Sequence, residues 1–254
     1  MLVLAWDTAT ASLSLALAEA DDERAATAAE FALRILALRA GEAESSHSSA
    51  LPPLARDVLA QEGLAPRDLG LIAAGRGPGS FTGLRIGLAF AKGLALGSAV
   101  PLVGVSSLIA IARAAPAAGA EAPRLVAPVI DARRGEFFTA LYGLPPGDCR
   151  PEPLTEILVL RPENFYRALG SLRESLESPA WRNAPITLMG PGASLLPPPP
   201  PAWELGSGEG PRADNLARLA VEALSRGRAA ACPPLPLYGR TPEIFKTWKP
   251  PSRI

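Results

Sequence analysis

Histidine is nearly absent from this sequence. Of 254 residues only His47 is one, so a zinc site built on paired histidines has no ligands to draw on. Cysteine is almost as scarce, and Cys149 and Cys232 stand far apart in proline-rich surroundings, which argues against a disulfide framework or a thiolate metal cluster. Charge of one sign is not in excess either. The 25 lysines and arginines balance 25 aspartates and glutamates, so no global field draws the chain to nucleic acid or to an anionic membrane. Long apolar runs are lacking: none approaches the length of a membrane span. The N-terminus passes from Met1 directly into Leu2-Val3-Leu4-Ala5-Trp6, with no basic n-region or small-residue cleavage site, and a cytoplasmic location is expected. Of the basic residues only Lys92, Lys246 and Lys249 are lysines, a bias that with 28 prolines fits genome composition better than mechanism.

What is present is ample apolar material, 48% of the chain, enough for one large or two small cores. The most distinctive stretch is Gly75-Arg76-Gly77-Pro78-Gly79-Ser80-Phe81-Thr82-Gly83-Leu84-Arg85-Ile86-Gly87, between the apolar segment Leu69 to Ala74 and the alanine-rich run Leu88 to Leu96. It reads as strand, loop, helix. Glycines at 75, 77 and 79 permit positive φ and close approach, Pro78 stiffens the turn, and Ser80 or Thr82 can cap the helix. Two readings stand: an anion cradle at a helix N-terminus, and a tight turn whose glycines serve packing. The specific cradles fail on spacing. No pair of glycines has the P-loop interval, Lys92 is deep in the helix, and position six of a dinucleotide fingerprint is Ser80 or Thr82 instead of glycine. Along the helix, Gly83 with Gly87 and Gly93 with Gly97 make small patches at i,i+4, where either the protein's own sheet or another subunit approaches closely.

Taken in order, Leu2 to Trp6 is a buried strand ending at Asp7, Thr8 to Ala11 a turn, and Ser12 to Leu17 a half-exposed strand alternating with period two. Residues 20 to 44 suggest a further strand near Phe31 to Leu38 and a variable loop. The polar cluster Ser45 to Ser49 opens a helix whose Leu51, Leu54, Val58 and Leu59 share a face, with Pro52 and Pro53 tolerated in the first turn and an end at Gly63. His47, at its start, reads as a capping or surface residue more readily than as a catalytic base. Val100 to Val105 is a strand, and Ser106-Ser107 cap a helix over Leu108 to Ala115. A linker, residues 116 to 123, separates an expected N-terminal lobe, 1 to 115, from a C-terminal lobe, 124 to 254.

The second lobe opens on the plan of the first. An apolar strand from Leu125 ends at Asp131, a turn through Ala132 to Gly135 follows, and a strand begins near Phe137, the offset that separates Asp7 from Leu13. Residues 143 to 155 and 190 to 211 are proline- and glycine-rich loops, the second containing the run Pro197 to Pro201. Between them lie an apolar segment at Ile157 to Leu160, a helix over about Pro162 to Leu176 and a strand at Ile186 to Met189; Asp214 to Arg226 is an amphipathic helix with Leu216, Leu219, Ala220, Ala223 and Leu224 inward. The tail sets Arg240, Lys246, Lys249 and Arg253 against Glu243, either a solvated terminus or a contact for RNA phosphate.

Leu4 to Thr10, the block Gly75 to Gly104, and Ile130 to Glu136 together resemble the TsaB (YeaZ) family, over about residues 1 to 142, with Pro236-Leu237-Tyr238-Gly239-Arg240 similar to its closing segment. The resemblance implies an α/β fold of the actin-like, Hsp70-like and sugar-kinase-like (ASKHA) kind, two related lobes of mixed sheets flanked by helices. It implies a role in making threonylcarbamoyladenosine beside the anticodon of tRNAs that read codons starting with A. The expected part is that of a non-catalytic partner, with no catalytic or metal-binding residues and no required cofactor. The expected partners are TsaD, which would carry the chemistry, then TsaE and TsaC through the complex, tRNA indirectly, and a second copy of the chain when alone. The resemblance places the interface on the N-terminal lobe's helices, here Leu51, Leu54, Val58, Arg85, Leu88 and Lys92. Gly75, Gly77, Pro78, Gly79, Ser80, Gly83 and Gly87 are then a structural loop. The alternative is a nucleotide-binding ATPase or kinase of the same fold, with Asp7, Asp131, Gly77 and Gly79 as candidate ATP-binding positions. A metallopeptidase, the older glycoprotease reading of the wider family, is opposed by the single histidine.

Overall fold

The structure is a computed structural model that describes residues 1–21, 33–42, 47–116, 122–148, 150–227 and 234–238. The expectations for the strand's start at Phe31, for Ser45 and Ser46, for both cysteines and for the basic tail from Arg240 onward lie outside the described residues.

The first sheet has five strands: β1 (Leu2–Asp7), β2 (Ser12–Ala20), β3 (Leu33–Glu42), β4 (Leu71–Gly75) and β5 (Leu102–Val105), in the spatial order β3-β2-β1-β4-β5. β1 pairs antiparallel with β2 and parallel with β4, so the sheet is mixed. β1 is buried on both faces, which is why its sequence is unbroken in apolar character instead of alternating. Its odd positions, Val3 and Ala5, face one cluster; its even positions, Leu4 and Trp6, face another. The large side chains meet α1 (His47–Gln61) and α2 (Phe81–Ser98), through Leu51, Val58 and Leu88. The small ones, with Ala16, Ala18 and Ala73, admit α6 (Ala213–Ser225) closely, through Leu216, Ala217 and Ala220. α1 begins at His47, earlier than the proline pattern implies, so Pro52 and Pro53 sit in its second turn on the exposed side.

The second half repeats the strand order with broken strands. After α3 (Ser107–Ala112) come β6 (Arg124–Pro128), β7 (Ile130–Arg133), β8 (Glu136–Thr139), β9 (Tyr142–Leu144), β10 (Glu152–Pro153) and β11 (Leu158–Leu160), then α4 (Pro162–Ser175), α5 (Pro179–Asn183), β12 (Ile186–Met189) and β13 (Trp203–Leu205). One sheet runs β10-β9-β6-β12-β13 and a smaller one β11-β8-β7. Joining each broken pair, β6 with β7, β9 with β8 and β10 with β11, gives the order of the first sheet again. The strand expected from Leu125 to Asp131 is therefore two strands, interrupted at Val129, where the chain leaves one sheet for the other. The loop expected over 190–211 contains a one-turn 3-10 helix, Ala193–Leu195, and the edge strand β13. Phe165 and Leu169 of α4 cover one face of this sheet, against Leu125, Ala127, Ile186 and Leu188.

The other face is covered by α3, from the first half: Leu108 and Ile111 pack with Val126, Tyr142 and Met189. α6, from the second half, covers the first sheet in turn. Each lobe thus borrows a helix from the sequence of the other, and a boundary drawn at 116–123 divides the sheets but not the cores. The two borrowed helices touch, Asn215 Nδ2 donating to Ala110 O at 3.2 Å and Arg113 lying 3.5 Å from Glu222, both largely buried. Among the described residues no helix is long and apolar enough to cross a membrane.

Candidate functional site

The two Asp turns face each other across a cleft of about 620 Å³ between the lobes. From the first lobe it receives Ala9 to Ala11, His47 and the start of α2, Gly79 to Thr82; from the second, Ile130 to Arg133, with Tyr238 at the side. Asp131 and Gly79 therefore line the cleft, whereas Asp7, buried behind Ala9, and Gly77 do not.

The turns share a hydrogen bond. Ala9 N donates to Asp7 Oδ1 and Arg133 N donates to Asp131 Oδ1, both at 2.7 Å and both two residues on, the geometry by which aspartate closes its own turn. That match supports internal duplication more firmly than the weak sequence identity. The surroundings differ. Asp7 is 1% exposed, and its second oxygen accepts from Ser107 Oγ at 2.6 Å. Burial pushes its pKa from 3.8 up to about 6, while the Ser107 hydroxyl and the Ala9 amide, which stabilise the carboxylate, hold it from rising further. Asp131 is partly exposed and has the Arg133 guanidinium 3.5 Å away. Arg133 and Arg134, with φ of 63° and 58°, occupy the left-handed region in the turn that follows.

The glycine loop is built around the first turn. A Cβ on Gly75 would lie 1.9 Å from Asp7 Oδ2, one on Gly79 2.2 Å from Ala9 O, one on Gly83 2.1 Å from Thr8 O, and one on Gly87 2.3 Å from Thr8 Oγ1. Only Gly77 among them needs positive φ, at +89°. Thr8 Oγ1 donates to Gly83 O and Trp6 Nε1 to Gly87 O, so the first small patch on α2 is filled by the strand end it rests on. A Cβ on Gly93 or Gly97 would meet nothing within 4 Å. Four of the loop's amides are used inside the protein: Arg76 N donates to Val105 O, Gly77 N to Ser107 Oγ, Ser80 N to Ala9 O, and Gly83 N to Ser80 Oγ, the expected cap. The glycines thus have a packing role, while Gly79 to Thr82 at the start of α2 also line the cleft. Ser106 and Ser107 do not cap α3 with their side chains as expected; both bond the glycine loop, and Ser107 also Asp7.

The expected interface residues divide by burial. Leu51, Val58 and Leu88 are 0%, 1% and 3% exposed within the lobe's own core, which corrects their assignment to a partner surface. Helical spacing alone does not distinguish the face that meets the sheet from one that meets a second protein. Leu54 is partly buried in the same core, and Arg85 and Lys92 are exposed. His47 belongs to the cleft, its Nε2 3.2 Å from Ala11 O, a bond in which the ring N–H donates. Phe81, Arg133 and Tyr238 also line the cleft and were not singled out as site residues from the sequence; the one available signal was an aromatic residue in an otherwise small-residue loop. Among the described residues no group of three or more histidines, cysteines or acids is placed to hold a metal.

A mixed-sheet, duplicated α/β architecture with a central cleft between paired Asp turns defines the actin-like class. A model of the TsaD family, tRNA N6-adenosine threonylcarbamoyltransferase, matches residues 41–144. The tRNA threonylcarbamoyladenosine biosynthesis protein TsaB of Escherichia coli (strain K12) is 39% identical over 142 residues, 56% of this chain and 55% of that protein. The protein of the same name in Bacillus subtilis (strain 168) is 36% identical over equal shares. The chain spans about half the length of the curated relatives it matches. In three dimensions YeaZ from Pseudomonas aeruginosa aligns over 93% of this chain and 99% of its own, at 29% identity and a TM-score of 0.68. The chain is thus similar in sequence to TsaB proteins over its first half and similar in fold to YeaZ over nearly its whole length.

Proposed function

We propose that the chain is a non-catalytic partner of a tRNA N6-adenosine threonylcarbamoyltransferase of the TsaD kind, in the complex that forms threonylcarbamoyladenosine in tRNA. The observation that carries this is the commitment of Asp7. Both of its carboxylate oxygens are taken by the protein's own Ala9 amide and Ser107 hydroxyl, so this acid serves the turn and leaves chemistry to a partner. The partner surface is the exposed stripe of α2 through Arg85, Lys92 and Leu96, beside the open Gly93 and Gly97, where a second helix can approach closely. A second copy of the chain uses the same stripe when the partner is absent. TsaE and TsaC act through the complex, tRNA is contacted indirectly, and the chain requires no cofactor of its own.

The test is reconstitution. The chain is mixed with the TsaD of the same organism for size exclusion with light scattering, and transfer to tRNA is assayed with TsaC and TsaE. A heterodimer with transfer lost on omission of this chain is expected, weakened by Gly93→Trp or Leu96→Asp; no complex and no dependence would sink the proposal. A second reading, nucleotide binding, is favoured by the cleft itself, about 620 Å³ and flanked by Asp131 and the start of α2. Calorimetry with Mg-ATP decides it: heat lost in Asp131→Ala supports it, and none in the unaltered chain removes it.

A further inference from the structure

Two cavities lie on opposite sides of one short backbone segment. Tyr238 borders the interlobe cleft, whereas its neighbour Leu237 borders a second cavity of about 520 Å³ whose walls include Arg76, Ile109, Arg150 and Leu219. The partition is the segment 235–238 lying over the glycine loop. Leu237 N donates to Arg76 O at 2.7 Å. The Leu237 carbonyl lies 3.0 Å from where a Cβ on Gly77 would stand, so the bare, positive-φ glycine leaves room for the backbone above it. Tyr238 packs on Phe81, ring centroids 5.1 Å apart and tilted by 35°, and the Arg85 guanidinium sits 5.2 Å from the same Phe81 ring.

One backbone hydrogen bond and one aromatic anchor are how an extended peptide ligand is held. They are also weak fastenings, since a single exchangeable hydrogen bond and one tilted ring pair contribute little each. Both sides of the contact face solvent: Leu235 of the segment is 57% exposed, and Phe81 of α2, on which Tyr238 packs, 53%. We propose that residues 235–238 are a displaceable strap, a self-ligand in an extended-peptide groove over the glycine loop, and that lifting it joins the two cavities into one trough. The groove then offers Arg76 O and the Phe81 ring to an extended, aromatic-bearing peptide of a partner. This inference stands independently of the tRNA-modification reading, because it rests on the strap and the loop alone.

The experiment compares the full chain with one ending at Pro233, adding a labelled peptide of residues 234–242 and reading fluorescence anisotropy. The peptide binds the shortened chain at least ~10-fold more tightly than the full chain, whose own strap competes, and a peptide with Tyr238→Ala loses that affinity while Tyr238→Phe keeps it. Equal or absent binding to a shortened chain that circular dichroism shows folded overturns the proposal. Should the shortened chain not fold, hydrogen exchange of the full-length Tyr238→Ala variant decides. Exchange faster by ~5-fold or more in residues 76–82, with α6 unchanged, supports the strap; exchange unchanged in the loop, or raised throughout, overturns it.

Discussion

In the first lobe the aspartate that ends β1 is sealed under a glycine loop, and in the second the corresponding Asp131 stands at the edge of the cleft beside an arginine. The strand order and the turn hydrogen bond are the same; what differs is the element that follows the fourth strand. After β4 the chain makes the glycine loop and an 18-residue helix, and after β12 it makes one 3-10 turn and a proline-rich loop. Four glycines of the first lobe touch the Asp7 to Ala9 turn at distances that leave no room for a Cβ. In the second lobe the nearest counterpart is Gly192, where a Cβ would lie 2.9 Å from a Val129 methyl and 3.1 Å from Asp131 N. One half of a duplicated fold has been closed over its acid, while the other has kept it accessible.

The largest expected effect breaks this contrast at the tightest contact. Gly83→Ala sets a Cβ 2.1 Å from the Thr8 carbonyl, a backbone atom fixed by β1 and its turn, and should destabilise by about 3 kcal/mol or more in denaturant unfolding. Gly192→Ala, opposed first by a side-chain methyl that can give, should lose only about 1 to 2 kcal/mol.

Titration sharpens the comparison next. Because folding raises the Asp7 pKa to about 6, the folded state holds a proton that the unfolded state releases near 3.8, so this residue makes stability fall as pH rises between those values. The difference amounts to about 2 to 3 kcal/mol. Asp7→Asn should remove that slope from urea midpoints measured from pH 4 to 7, whereas Asp131→Asn should leave it.

Ser107→Ala should follow at about 1 to 2 kcal/mol, since it strips Asp7 of a donor and Gly77 N of its acceptor while leaving α3 intact. Its thermal melt should show the loss at pH 7 more than at pH 4, where Asp7 is protonated. The smallest effect has the opposite sign. Gly93→Ala, on the same helix as Gly83 but in open space, should stabilise the isolated chain by about 0.5 to 1 kcal/mol. A chain already dimeric through that face would lose association instead, and light scattering separates the two.

Much of the first lobe is legible in the residues. The unbroken run Leu2 to Trp6, the alternation from Ser12, the cap at Ser80 and the apolar run Val100 to Val105 each reflect a local preference, and β1, β2, α2 and β5 follow. The repeated Asp turn is legible too, because an aspartate closing its own turn needs only its next two residues. Less of the site is. Leu51, Val58 and Leu88 have the helical spacing of an interface and are core, since periodicity reports that a face is buried without naming what buries it. Phe81 and Tyr238 stand 157 positions apart, and nothing local to either predicts their contact.

By itself, then, the sequence determined the elements, the duplicated turn and the lack of paired histidines, because these follow from short-range sterics, hydrogen bonding and composition. Tertiary structure alone decided which carboxylate is buried, that each lobe is completed by the other's helix, and that residues 235–238 lie across the glycine loop. Those outcomes depend on which surfaces meet, and burial shifts a pKa or fills a cleft only once distant segments have been brought together.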